Sequence, residues 1–175
     1  MATPGVFGMA AAVFEAIEAG PAPWRSLDVA VVPGVTAMLA AAARLGAPLG
    51  NDFCAISLSN NLKPWSVIEK RLELAARADF VLALYNPASQ TRSEPVFRAF
   101  EVLRRHRPPS AIVAFAKAAG RKDEEVWITT LGQADAARAD MRTLILVGAE
   151  STRQIERPSR TPWIYTPRSV PSEAS

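Results

Sequence analysis

The chain has 175 residues, of which 49% are hydrophobic and 21% charged, the make-up of a folded globular protein rather than a disordered one. No apolar run approaches the roughly 20 residues of a membrane-spanning helix, and the N-terminus lacks the charged-then-apolar layout of a signal peptide. The formal net charge is +3 and most basic residues are scattered, so no nucleic acid and no membrane is expected as a partner, whereas a modest excess of arginine suits an anionic small molecule.

In chain order, the first residues read as a loop that enters a helix over 8–19, where Met9, Val13 and Ile17 share a face and Gly20, Pro21 and Pro23 stop the run. No strand stands in front of this loop, so the front part of an α/β fold is expected to be missing. Residues 27–32 are predicted to form a short β-branched strand. Thr36 then serves as the N-cap of an Ala-rich helix over 37–45, which Gly46 and Pro48 terminate. So much alanine implies a helix packed closely between two larger bodies, and the junction between domains is placed there.

The next strand covers 53–58 and is followed by the polar loop Ser59-Asn60-Asn61. Pro64 suits the first turn of a helix in which Trp65, Ile68, Leu72 and Ala75 keep helical spacing as far as Arg77. Residues 80–85 carry no charge and read as a strand covered on both faces. A helix over 93–105 turns Val96, Phe100 and Leu103 inward and ends in Arg104-Arg105-His106-Arg107, cations that favour a helix C-terminus. Strands over 111–116 and 126–131 are joined by a charged turn at 121–124, and a short helix around 133–138 precedes a last strand at 143–147. Beyond Ser151 the chain is rich in Pro and Arg, with a tail at 169–175 expected to be disordered. The order β-α-β-α-β-β-α-β after the Ala-rich helix argues for a mixed sheet with helices on its faces.

Several chemistries are absent. One cysteine and one histidine cannot assemble a zinc site, and no carboxylates have calcium-loop spacing, so no metal is expected. The lone Cys54, among Asp52, Phe53, Ala55 and Ile56, excludes an internal disulfide, fits a reducing cytoplasm and reads as an inert buried thiol. A Ser-His-Asp triad would need His106, which lies between arginines and is expected in solvent. Neither phosphate-loop nor dinucleotide fingerprint occurs. What remains is a pair of strand-end turns, Val31-Val32-Pro33-Gly34-Val35-Thr36-Ala37 and Phe80-Val81-Leu82-Ala83-Leu84-Tyr85-Asn86-Pro87, each read as a buried parallel strand running into a Pro-containing turn. Such turns lie where open α/β sheets bind small molecules.

Set beside the loop Pro4-Gly5-Val6-Phe7-Gly8-Met9, the first of these turns resembles the S-adenosylmethionine-dependent tetrapyrrole methylases of cobalamin biosynthesis. Later strings are similar to those members that methylate a precorrin at C17 with ring contraction. They include Leu45-Gly46-Ala47-Pro48-Leu49-Gly50, Ile56-Ser57-Leu58-Ser59, Pro64-Trp65, Leu84-Tyr85-Asn86-Pro87, Thr129-Thr130-Leu131, Asp140-Met141 and Val147-Gly148 followed by Ser151-Thr152-Arg153. The resemblance runs from about Pro4 to Thr152 and implies a methylase-like α/β protein with a mixed-sheet C-terminal domain. Residues 1–35 would be the tail end of an N-terminal α/β domain, 36–48 a linker helix and 49–168 the C-terminal domain. The family's opening strand and Gly-Pro-Gly loop have no counterpart, Ala2-Thr3 replaces Gly-Asp, Asn51 stands for His, and Asn60-Asn61 for Asp-Leu.

The resemblance implies S-adenosylmethionine as methyl donor, held by Pro4, Gly5 and Val6, by Thr36 and Ala37, by Tyr85 and Asn86, and by the backbone near Ala116. It implies an acidic tetrapyrrole substrate, with Arg92 and Arg153 as candidate partners for its carboxylates, and a homodimer. Transfer from a sulfonium is a direct displacement, so positioning supplies most of the catalysis. No catalytic acid or base is identified. The alternative is a non-catalytic fragment acting as a binding or dimerisation module.

Overall fold

The computed structural model describes residues 4–88 and 94–169. Helix α1 (Met9–Ala19) and a 3-10 turn (Ala22–Ser26) lead through an extended stretch into helix α2 (Ala37–Leu45). Strands β1 (Gly46–Ala47) and β2 (Phe53–Ser57), helix α3 (Trp65–Arg77), strand β3 (Val81–Tyr85) and helix α4 (Glu94–His106) follow. Then come β4 (Ile112–Lys117), β5 (Glu125–Thr130), a 3-10 turn (Ala136–Arg138), β6 (Thr143–Val147), β7 (Arg153–Ile155) and β8 (Trp163–Tyr165).

The main sheet has five strands in the order β2-β3-β6-β4-β5, with β2 and β3 parallel and the other pairs antiparallel. Strand alternation sorts its side chains by size. Leu82, Leu84, Val113, Phe115, Ile145 and Val147 face one layer, where they pack with Ile68 and Leu72 of α3 and Phe100 and Leu103 of α4. The opposite face carries Ala83, Ala114 and Ala116 beside Leu144 and Leu146, and receives Ala41 and Leu45 of α2. Small side chains on both sides let α2 lie close to the strands. The alanines thus serve contact with this sheet, and Ile164 of β8 joins the same apolar cluster as Ala41 and Leu45.

The strand expected at 27–32 is not formed: the segment has no sheet partner, and Val31 and Val32 are 42% and 73% exposed. A β-branched run becomes a strand only where a neighbour accepts its backbone hydrogen bonds. The expectation of a buried parallel strand therefore holds only for β3, and there on one side alone, since its other neighbour, β6, runs antiparallel. Smaller corrections concern the short helix, a single 3-10 turn at Ala136–Arg138 capped by Asp135, and Pro64, which stands just before α3.

The Pro- and Arg-rich region beyond Ser151 contains two unforeseen strands. With β1 they make a second sheet, β1-β8-β7, closed by buried threonines. The Thr166 hydroxyl donates to the Pro48 carbonyl at 2.7 Å and pairs with the Thr152 hydroxyl at 2.9 Å. Residues 170–175 of the expected tail lie outside the described residues.

Candidate functional site

On the alanine face of the main sheet lies a cavity of about 550 Å³. Its floor is Ala37 and Ala40 of α2 with Ala116 and Leu144 of the sheet, so the small side chains that bring α2 close also leave the space beside it. Val6 and Phe7 close one side, and Tyr85 and Asn86 at the end of β3 close another. The β4–β5 turn, residues 118–121, and Met141, Arg142 and Thr143 form the rim.

Local backbone geometry sets these walls. Asn86 and Ala118 have φ of +54° and +51°, a left-handed conformation that turns the chain sharply at a strand end. The Asn86 amide donates to the Ser57 hydroxyl at 2.9 Å, tying the ends of β2 and β3 together. The β4–β5 turn is held by Glu124, whose carboxylate accepts from the Gly120 amide and, at 2.9 Å, from Arg44 at the end of α2. Thr36 does not cap α2 with its own side chain. Its hydroxyl is 2.5 Å from that of Tyr85, and the Tyr85 hydroxyl accepts the Met38 amide at 3.1 Å.

Cations gather at the rim. Arg121 and Arg142 both line the cavity. The Asp123 carboxylate, 2.6 Å away, holds the Arg142 guanidinium above its ordinary range, and is itself held low by that hydrogen bond. Asp140 stands behind the rim: burial raises its carboxyl, but hydrogen bonds from the Thr143 hydroxyl, the Arg142 amide and Lys117 outweigh this and leave it low.

Of the residues implied as donor contacts, Val6, Thr36, Ala37, Tyr85, Asn86 and Ala116 line this one cavity. Pro4 and Gly5 are exposed and do not line it. Arg153 is exposed on β7 and is not among the lining residues, and Arg92 lies outside the described residues. The sequence did not single out Phe7, Ala40, Arg121, Arg142 or Thr143 as site residues. Proximity in the chain to Val6, Ala37 and the Asp140-Met141 string was the available signal for most of them.

Two expectations about reactive groups change. Cys54 is half-buried rather than enclosed: it borders a separate 660 Å³ groove beside α3, and partial burial raises its thiol. His106 is half-buried at the end of α4, and no group of three or more His, Cys, Asp or Glu among the described residues could hold a metal ion.

The tetrapyrrole (corrin/porphyrin) methylase family model matches residues 3–135. The chain is 59% identical over 94% of its length to a precorrin-3B C(17)-methyltransferase from Sinorhizobium sp, of which it spans 65%. The crystal structure of the methyltransferase CobJ superposes with a TM-score of 0.88 at 48% identity, covering 95% of this chain and 67% of that one. A uroporphyrin-III C-methyltransferase from Thermus thermophilus, complexed with S-adenyl homocysteine, superposes with a TM-score of 0.60 at 25% identity, covering 84% of this chain and 62% of that one. The chain belongs to the tetrapyrrole methylases.

Proposed function

We propose that the protein takes part in S-adenosylmethionine-dependent C-methylation of a precorrin-type tetrapyrrole, precorrin-3B at C17 with ring contraction, in cobalamin biosynthesis. The observation that carries this is the convergence of Val6, Thr36, Ala37, Tyr85, Asn86 and Ala116 on one cavity from four separate stretches of chain. The name of the 59% identical relative supports the choice of reaction.

The residues present fit the donor. The cavity volume falls in the range of small-molecule sites, and its alanine floor lets a flat ring approach the backbone. Adenosylmethionine, when bound, supplies an electrophilic methyl group on sulfur. The chain's own residues supply position: Ala37, Ala40 and Ala116 shape the floor, and Tyr85 and Asn86 fix one wall. Arg121 and Arg142 set positive charge at the rim, where the carboxylates of the donor or of an acidic tetrapyrrole would lie. Arg92 and Arg153 are proposed as partners for the carboxylates of the tetrapyrrole.

In domain terms, residues 1–35 are proposed as the tail end of an N-terminal methylase domain, 36–48 as linker, 49–168 as the C-terminal domain and 169–175 as a tail. The single thiol suits a reducing compartment, and the cytoplasm is the proposed location. Incubation with methyl-labelled donor and an acidic precorrin should place label on the macrocycle. Label no higher than in a heat-inactivated control would overturn the proposal.

A second reading, an association module, is favoured by one observation. None of residues 4–35 is buried, and Met9, Leu27, Val32 and Val35 are 72%, 58%, 73% and 69% exposed. Large apolar side chains exposed to this degree suit an interaction site. A homodimer built on this arm should appear in sedimentation, and a strictly monomeric chain would count against it.

A further inference from the structure

We propose that Tyr85 is a positioning residue, a latch that fixes the linker helix to the sheet and thereby sets the width of the cleft. This role rests on the donor cavity proposed above, but differs from the direct donor contact that the resemblance implies for Tyr85.

Tyr85 ends β3, an inner strand of the five-stranded sheet, where it is in register with Ser57 of β2 and its carbonyl accepts the Leu58 amide at 2.8 Å. Its hydroxyl reaches across to the first turn of α2, where it accepts the Met38 amide at 3.1 Å and pairs with the Thr36 hydroxyl at 2.5 Å. The opening amides of a helix have no intrahelical acceptor and need one from elsewhere. In α2 the residue at the N-cap position does not provide it, so the cap comes from a side chain 47 residues on in sequence. The Tyr85 ring, in turn, lies 5.1 Å from the Phe7 ring at an interplanar angle of 58°.

Besides its own, one side chain therefore touches two of the segments that line the cavity, that of Phe7 and that which begins α2 at Thr36. A phenol has one proton and two lone pairs, and with both partners in place at most one of these positions is left. Thr36, 5% exposed, lines the cavity with its hydroxyl paired to that of Tyr85. The far end of α2 is held independently, by Arg44 on Glu124 at 2.9 Å. Loss of the Tyr85 hydroxyl should free the N-terminal turn alone, with the helix still docked through Ala41 and Leu45.

The test compares the full chain with Tyr85→Phe, Thr36→Val and the double variant. Two measurements are needed: amide hydrogen exchange at Met38, and calorimetric affinity for adenosylhomocysteine. Tyr85→Phe keeps the ring against Phe7 and should raise Met38 exchange about tenfold, leaving core amides such as those of Ile145 and Leu146 unchanged. Affinity should fall roughly five- to twentyfold, with a similar loss in Thr36→Val and little further loss in the double variant. Unchanged Met38 exchange in Tyr85→Phe would overturn the latch. Raised exchange with unchanged affinity, or losses that multiply in the double variant, would overturn its role in setting the cleft. Failure of the unaltered chain to bind adenosylhomocysteine would count against the donor cavity itself, while exchange at Met38 would still decide whether the latch exists.

Discussion

Arg107, buried just past the end of α4, forms an ion pair with Asp79 in the turn between α3 and β3. Asp79 has φ of +58°, and both of its carboxylate oxygens accept the Glu150 amide, at 3.0 and 3.1 Å. Arg107 also donates to the Phe80 carbonyl at 2.8 Å. Three turns at one end of the sheet are thus joined through the Arg107–Asp79 pair. Burial lowers its pKa from the ordinary arginine value, an effect that the Glu150 charge partly offsets.

Asp79→Asn keeps the left-handed turn, which asparagine tolerates, and removes the charge. Breaking a buried pair costs about 3–5 kcal/mol. Asp79 is 45% exposed, so a loss of about 2 kcal/mol in denaturant unfolding is expected. Adding Arg107→Met should recover part of that loss, because the uncompensated charge goes. A double variant less stable than Asp79→Asn alone would contradict this.

Asp140 gives an acid-sensitive contribution. Its carboxyl is held below the unfolded value of about 3.9 by hydrogen bonds from Thr143, Arg142 and Lys117, despite opposing burial. A depressed carboxyl contributes stability that is complete above the unfolded value and is lost as pH falls through the folded one. Asp140→Asn should therefore lower the urea midpoint clearly at pH 6 and much less at pH 3. An equal difference at both values would rule this out.

Gly50 marks where the two sheets meet. A Cβ there would sit 2.4 Å from the carbonyl oxygen of Thr166, a residue whose amide donates to Ala47 and whose hydroxyl donates to Pro48. Gly50→Ala should cost roughly 1–3 kcal/mol, as overpacking does. Its effect should fall on amide protection in β1 and β8 rather than in β3 and β6. A variant of unchanged melting temperature would show that the second sheet shifts freely.

The elements that were legible in the sequence are those whose ends carry local chemistry. The Ala-rich helix runs over 37–45 as expected because Gly46, with φ of +120°, stops it, and 143–147 is a strand because all five side chains are buried. Strands β7 and β8 were not legible. Each has three residues, and β8 is held in part by a two-residue partner more than 100 positions earlier. The apolar run at 27–32 misled for the converse reason, since its pattern is local but a strand's partner is not. In the site, Tyr85 and Asn86 were reached through the resemblance. The Tyr85–Thr36 pairing spans 49 residues and needs the folded sheet to appear.

The most direct test of the donor cavity is calorimetric titration with adenosylhomocysteine of the unaltered chain and of Ala40→Trp. Ala40 is half-buried on the cavity floor, so an indole there should fill the space without entering the core. The expected result is binding of one ligand per chain, abolished in Ala40→Trp, with the two proteins melting within a few degrees of each other. Absence of binding to the unaltered chain, or equal affinity in Ala40→Trp, would contradict the assignment.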